Sequence, residues 1–232
     1  MTLQEFSLEF DILYNNVTSN SAPPLDEYEK SVFLTMAQLE IVKELYSGRN
    51  QLGLAVETNE EVRQYLNSLI KESNEIPFPS YVEKYGKYKK YTLTTLNRNN
   101  YIAILREWIE AKDSVTKTLT EVPIYPATQD TIVQILNNPF KGVTRKRAIK
   151  VETDNQVHIY YLPTTGTSNY LFKWTYLAKP SPIILEIDST EDLSIDGKDI
   201  SIETPCKLPE VLHRDILRRA VELAKQAYVG QA

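Results

Sequence analysis

The chain has 232 residues, 42% of them hydrophobic, which is enough apolar mass for one large domain or a domain with an appended piece and excludes wholesale disorder. Seven glycines are too few to place Gly-rich phosphate loops or collagen-like repeats, and the single cysteine, Cys206, excludes an internal disulfide and a tetrahedral cysteine-based zinc site. The net charge of −5 is uneven, with 5 basic and 13 acidic side chains in residues 1–80, 13 and 6 in residues 81–150, and 8 and 12 in residues 151–232; such a basic middle between acidic ends attracts neighbouring copies, faces nucleic acid, or is merely solvated.

Residues 2–18 predict an amphipathic helix. Thr2 and Glu5 form a T-x-x-E capping box, and Leu3, Phe6, Phe10, Leu13 and Val17 make one stripe at spacings of three and four. Pro23-Pro24 breaks the chain. A second helix is expected from Asp26, which caps it with Glu29, to Tyr46, with Val32, Met36, Leu39 and Phe33, Ala37, Ile41, Leu45 on one wide apolar face. Ser47-Gly48 ends it. A third helix is expected over 59–73, capped by Thr58 with Glu61.

After Ile76-Pro77-Phe78-Pro79 the pattern turns strand-like. Residues 101–110 and 117–125 predict strands, Thr128 a cap for a short helix to Leu136, and 146–152 with 156–162 a hairpin across Asp154-Asn155. Residues 168–178 place Tyr170, Phe172, Trp174 and Tyr176 on one strand face, expected to be covered by the helices or, alternatively, by another subunit. The last helix runs from Pro209 to Tyr228 with a narrow stripe of Leu212, Ile216, Ala220, Leu223 and Ala227, and with Glu210–Arg214 and Asp215–Arg219 as i,i+4 ion pairs. The fold class is α+β: N-terminal helices (1–76), a central, mainly antiparallel sheet (77–190), and a C-terminal part (191–232) whose helix packs back on the first.

No P-loop, G-x-S-x-G or G-x-G-x-x-G pattern occurs, and His158 and His213, the only histidines, lack a metal-ligand partner at useful spacing. Glu107 and Glu110 flank Trp108 like a glycosidase pair, but on a strand they point to opposite faces. No catalytic residue, metal or cofactor is expected. The one segment suited to a non-protein contact is 81–91, where Tyr81, Tyr85, Tyr88 and Tyr91 interleave with Lys84, Lys87, Lys89 and Lys90. With Arg145, Lys146 and Arg147 it supplies phosphate-neutralising and base-stacking groups, or else it is an exposed loop with snorkelling side chains. The N-terminus has no basic signal-peptide region and no apolar run reaches the ~20 residues of a membrane span, so no membrane role is expected.

Three groups of segments carry a family resemblance: EFDILYNNVTSNSAPPLDEYEKSVFLTMAQLEIVKELY at 9–46, NNPFKG at 137–142 with LAKPSPIILE at 177–186, and LPEVLHRDILRRAVELAKQAY at 208–228. In this order they resemble the neck or ring proteins of crAss-like bacteriophages, with residues 84–135 matching only loosely. The resemblance implies a virion structural protein, not an enzyme, made in the host cytoplasm. It implies an adaptor-type head-to-tail connector ring of twelve copies around the DNA channel, touching the portal protein and adjacent ring proteins, with the portal-facing ring preferred and only transient contact with double-stranded DNA. In that setting Phe6, Phe10, Leu13, Val32, Met36, Leu39, Leu212, Ile216 and Leu223 are candidates for a helix-packing interface. Tyr81, Tyr85, Lys87, Tyr88, Lys89, Lys90, Arg145, Lys146 and Arg147 are candidates for interface or channel contacts.

Overall fold

The computed structural model describes residues 1–15, 24–48, 59–79, 83–85, 88–94, 101–113, 119–153, 156–163, 167–186 and 193–229. Along the chain run α1 (Leu3–Asn15), α2 (Glu27–Ser47), α3 (Glu60–Leu66) with a 3₁₀ turn (Asn67–Leu69), β1 (Ile70–Glu72), β2 (Ile76–Pro77), β3 (Glu83–Tyr85) and β4 (Tyr88–Thr94). They are followed by β5 (Tyr101–Asp113), β6 (Leu119–Ala127), α4 (Ile132–Asn137), β7 (Ala148–Thr153), β8 (Gln156–Tyr161), β9 (Thr167–Ala178), β10 (Ser194–Ile195), β11 (Lys198–Asp199) and α5 (Glu210–Val229). The architecture is α+β, and the chain divides into two compact units, residues 1–69 with 179–232 and residues 70–178.

The first unit is helical. The Thr2–Glu5 box forms as expected: the Thr2 amide donates to Glu5 Oε2 (2.7 Å) and the Glu5 amide to Thr2 Oγ1 (3.2 Å). The buried row of α1 is Phe6, Phe10 and Tyr14, whereas Leu13 is 37% exposed. An aromatic row at spacing four buries more apolar area than a stripe using Leu13, which turns the helix toward Tyr14. Val17 lies outside the described residues. Asp26 and Glu29 close a capping box on α2, and Gly48 ends it at φ 74°, a left-handed conformation that glycine adopts without penalty.

The buried face of α2 is not the one expected. Ala37, Ile41 and Leu45 are buried, but Met36 is 47% exposed, Val32 and Leu39 are only partly covered, and Ser31, Thr35 and Gln38 are buried instead. The reason lies far along the chain. Ile183, Ile184 and Leu185 run buried against α2, and their amides need partners. Ile183 N–H donates to Thr35 Oγ1 (3.1 Å), Leu185 N–H to Ser31 Oγ (3.0 Å), and Ile184 exchanges backbone bonds with Thr204. Lys30 ties α1 to α2 by donating to Asp11 (2.8 Å), Glu27 (2.9 Å) and Ser7 (3.2 Å).

Helix α5 buries Leu212, His213, Ile216, Leu217, Ala220, Val221 and Ala224, a wider face than the narrow stripe, while Leu223 is half-buried and Ala227 exposed. It packs on α1 and α2 through Phe6–His213 (ring centroids 5.3 Å), Tyr228 donating to Glu29 (2.6 Å), and Arg219, which reaches Glu40 (2.7 Å) and Glu222 (3.1 Å) rather than Asp215. Helix α3 is capped by Asn59 and ends at Leu66 instead of 73, and Thr58, the cap expected, lies outside the described residues. Residues 70–72 pair antiparallel with 175–177 of β9, so their backbone groups are satisfied in a sheet.

The second unit is a sheet in the order β1-β9-β5-β6-β7-β8-β4-β3, with β2 also on β9. All its pairs are antiparallel except β6–β7, which α4 connects as a crossover. The hairpin β7–β8 pairs Thr153 with Gln156, as expected. The sheet curls on itself. Tyr91 of β4 and Tyr170 of β9, far apart in strand order, lie 6.4 Å apart between centroids, with Phe78 4.5 Å from Tyr91 and Tyr161 5.6 Å from Tyr170. Phe172, fully buried and opposite Ile109, is central to this core, so the aromatic face of β9 packs against other strands of its own sheet. The opposite face carries a second cluster of Tyr88, Ile149, Val151 and Tyr160 under Ile132 and Leu136 of α4. That helix starts at Ile132 with Thr131 at its cap, later than the Thr128 start expected.

His158 on β8 is half-buried, with Nδ1 3.0 Å from Thr92 Oγ1. Burial, then repulsion from Lys90, holds its pKa below the ordinary 6.5, with Glu83 opposing. As pH falls through 6.5 the unfolded chain takes up this proton first, so stability declines from there down to the folded pKa. His158→Gln is expected to remove that contribution, seen as a shallower fall of the urea midpoint than wild type between about pH 7.5 and about pH 5.

Candidate functional site

The two units carry opposite charge. Residues 1–69 and 179–232 contain 11 basic and 21 acidic side chains, net −10; residues 70–178 contain 15 and 10, net +5. Each also presents apolar groups to solvent, and these are the natural candidates for assembly surfaces.

In the acidic unit, α1 is apolar on two sides. Phe6, Phe10 and Tyr14 face inward, while Leu8 and Ile12, one turn apart on the opposite side, are 64% and 58% exposed. Beside Leu8 lies a groove of about 720 Å³, bounded by α1, Glu27, Leu185, Glu186 and Glu203.

In the basic unit, Phe140 is 90% exposed. It stands on a turn between α4 and β7 that the local sequence builds. Asn138 Oδ1 accepts from the amides of Phe140 (2.8 Å) and Lys141 (3.1 Å), and the Gly142 amide donates to the Asn138 carbonyl (2.8 Å). A Cβ on Gly142 would lie 2.6 Å from that carbonyl oxygen. Gly142→Ala is therefore expected to force the turn open and to destabilise by about 1–3 kcal/mol, measured by denaturant unfolding. A Gly142→Ala protein as stable as wild type would show that the turn adapts.

The Tyr/Lys segment is not an exposed loop. Residues 83–85 and 88–94 form a hairpin, with Tyr88 and Tyr91 buried on opposite faces of the sheet and Tyr88 Oη donating to the Leu136 carbonyl (3.1 Å). Neither ring can stack on a base. Lys90 pairs with Glu83 (3.1 Å), and Lys84 and Lys89 are exposed. Tyr81 and Lys87 lie outside the described residues, as does the Tyr85 side chain. Arg145 and Lys146 are exposed in the same α4–β7 connection as Phe140, and Arg147 lies over the Tyr125 ring at 4.4 Å. Of the helix-interface candidates, Phe6, Phe10, Leu212 and Ile216 are core residues of the subunit, so they hold α1 and α5 together and are not outward contacts.

Glu107 and Glu110 serve separate ion pairs, Glu107 with buried Lys150 (2.6 Å) and Glu110 with Lys173 (2.7 Å). His213 Nε2 bonds the Leu208 carbonyl (2.9 Å). Burial pushes the Cys206 thiol up, away from the reactive thiolate. Among the described residues no helix is long and apolar enough to cross a membrane. Phe140 is not among the sequence candidates, although an aromatic between Pro139 and Lys141 shortly after a helix is a visible signal.

The model of the phage tail ring protein 3/4 family matches residues 1–232. The chain is similar to ring protein 3 of Bacteroides phage crAss001, at 35% identity over 227 residues, covering 97% of this chain and 95% of that protein. It is also similar to ring protein 4/5 of the same phage, at 33% identity over 235 residues, covering 99% and 94%. With both likenesses running from end to end, the chain belongs to the phage tail ring protein 3/4 family and is a structural ring protein of a virion.

Proposed function

We propose that this protein is a subunit of the head-to-tail connector, one ring in the stack that continues the DNA channel from the portal and presents a platform to the next tail component. The observation that carries this reading is the division of one chain into a net −10 unit and a net +5 unit. A closed ring needs two different, complementary patches on every subunit, and opposite charge supplies them. Twelve copies is the expected number. Relatives named ring protein 3 and ring protein 4/5 favour a position further along the stack than the portal-facing ring preferred from sequence. Exposed Lys84, Lys89, Arg145 and Lys146 offer phosphate contacts without stacking, which suits brief, sequence-independent touching of DNA in transit.

The test is native mass spectrometry of the chain mixed in turn with the portal protein and with each ring protein encoded by the same genome. A saturating ring stoichiometry with at least one neighbouring ring protein is expected. Saturation on the portal alone would return this chain to the first ring. A chain that joins none of them is not a connector subunit.

A further inference from the structure

Phe140 calls for explanation. A large aromatic side chain 90% exposed gains nothing from folding, yet the turn beneath it is fully specified by Asn138, Pro139 and Gly142. A rigid turn that holds an aromatic group in water is a preorganised anchor, since little ordering entropy remains to be lost when it docks. Its surroundings are basic: Lys141 follows it, and Arg145 and Lys146 are exposed in the same connection.

The acidic unit holds the matching surface. The groove beside α1 is lined by Leu3, Leu8 and Leu185 and by Glu27, Glu186 and Glu203. Glu27 is already engaged by Lys30 (2.9 Å), but Glu186 and Glu203 are exposed. At about 720 Å³ the groove can take the tip of a turn and not merely one ring. Leu8 continues it onto the outward apolar face of α1, with Ile12 one turn on.

We propose that the Phe140 turn of one copy docks into the α1 groove of the next copy, with Phe140 against Leu3 and Leu8 and its basic neighbours against Glu186 and Glu203. This rests on the ring reading above and assigns its subunit interface. A second copy is the fitting occupant for two reasons. Knob and groove lie on units of opposite charge within the same chain. One knob and one groove per subunit is also the arrangement a heterologous, ring-closing contact requires.

The experiment uses Phe140→Glu and Leu8→Glu in the full chain, assembled alone or with the portal and ring proteins of the same genome, and read by native mass spectrometry. Both positions are exposed, so each variant is expected to melt like wild type by circular dichroism. Each alone is expected to lose every species larger than the monomer of this chain. Mixed, they are expected to give a one-to-one heterodimer and nothing larger, because one intact groove meets one intact knob and the chain of contacts cannot continue. Phe140→Glu that closes rings as wild type does overturns the proposal. So does Phe140→Glu that closes rings but no longer binds a neighbouring ring protein, which would assign the turn to contacts between rings. Wild type that forms no ring under any of these conditions overturns the ring reading itself and the proposal with it.

Discussion

Replacing Lys150 by methionine is expected to lower folding stability by about 3–5 kcal/mol, or roughly 6–20 °C in melting temperature for a chain of this size. Strand alternation places Lys150 on the face of Ala148, toward the interior of the curled sheet. Its ammonium is almost fully buried and lies 2.6 Å from Glu107, equally buried, and 2.6 Å from Glu152 on the neighbouring alternate position of β7. Methionine keeps the length and the apolar stem but removes the positive charge on which two carboxylates converge. A buried carboxylate that loses its counter-charge bears most of its desolvation penalty. Changing Glu107 to methionine as well removes that penalty, and the double variant is expected to recover most of the loss, because an apolar replacement of a whole buried pair is often neutral or stabilising. Urea unfolding of the two single variants and the double variant measures the coupling directly. A Lys150→Met protein within 1 kcal/mol of wild type (about the value of an exposed pair) would mean that the carboxylates are compensated without Lys150.

Phe6→Ala is expected to be similarly severe, at about 3–5 kcal/mol. Phe6 is fully buried on α1 and meets the His213 ring of α5, joining the first helix of the chain to the last. Truncation leaves a cavity that a helix packed on two others closes poorly. The loss should appear in calorimetry as a lowered transition, and it should also weaken ring formation, because Leu3 and Leu8 of the α1 groove lose their support. Phe6→Leu, which refills most of the volume, is expected to restore both. Restored stability without restored assembly would separate the groove from the packing of α1.

Much of this fold was legible because its signals are local. The Thr2–Glu5 and Asp26–Glu29 boxes form as the sequence predicts, since a cap needs only residues within one turn. The β7–β8 hairpin and the strand at 167–178 follow from alternation in the same way. The misreadings share a different cause. Ser31 and Thr35 are buried because the amides of Ile183 and Leu185, about 150 positions away, need acceptors, and no periodicity within α2 records that. The tyrosines of 88–91 looked like a stacking platform because the curl of the sheet, which gives β4 two buried faces, is a property of strand order. The proposed assembly surface was legible in the sequence only as a charge division. Phe140 emerges as a candidate once the turn that holds it is seen.

In the proposed ring, opposite charge on the two units of one chain joins copies head to tail. The most direct test is electron microscopy of the protein assembled with the ring proteins of its own genome, at low and at high salt. Closed rings of uniform subunit number, expected to be twelve, with an open centre, should form, and fewer of them as salt screens the contact between acidic and basic units. Open filaments, two-fold dimers that bury the same patch on both partners, or rings indifferent to salt would contradict this assembly.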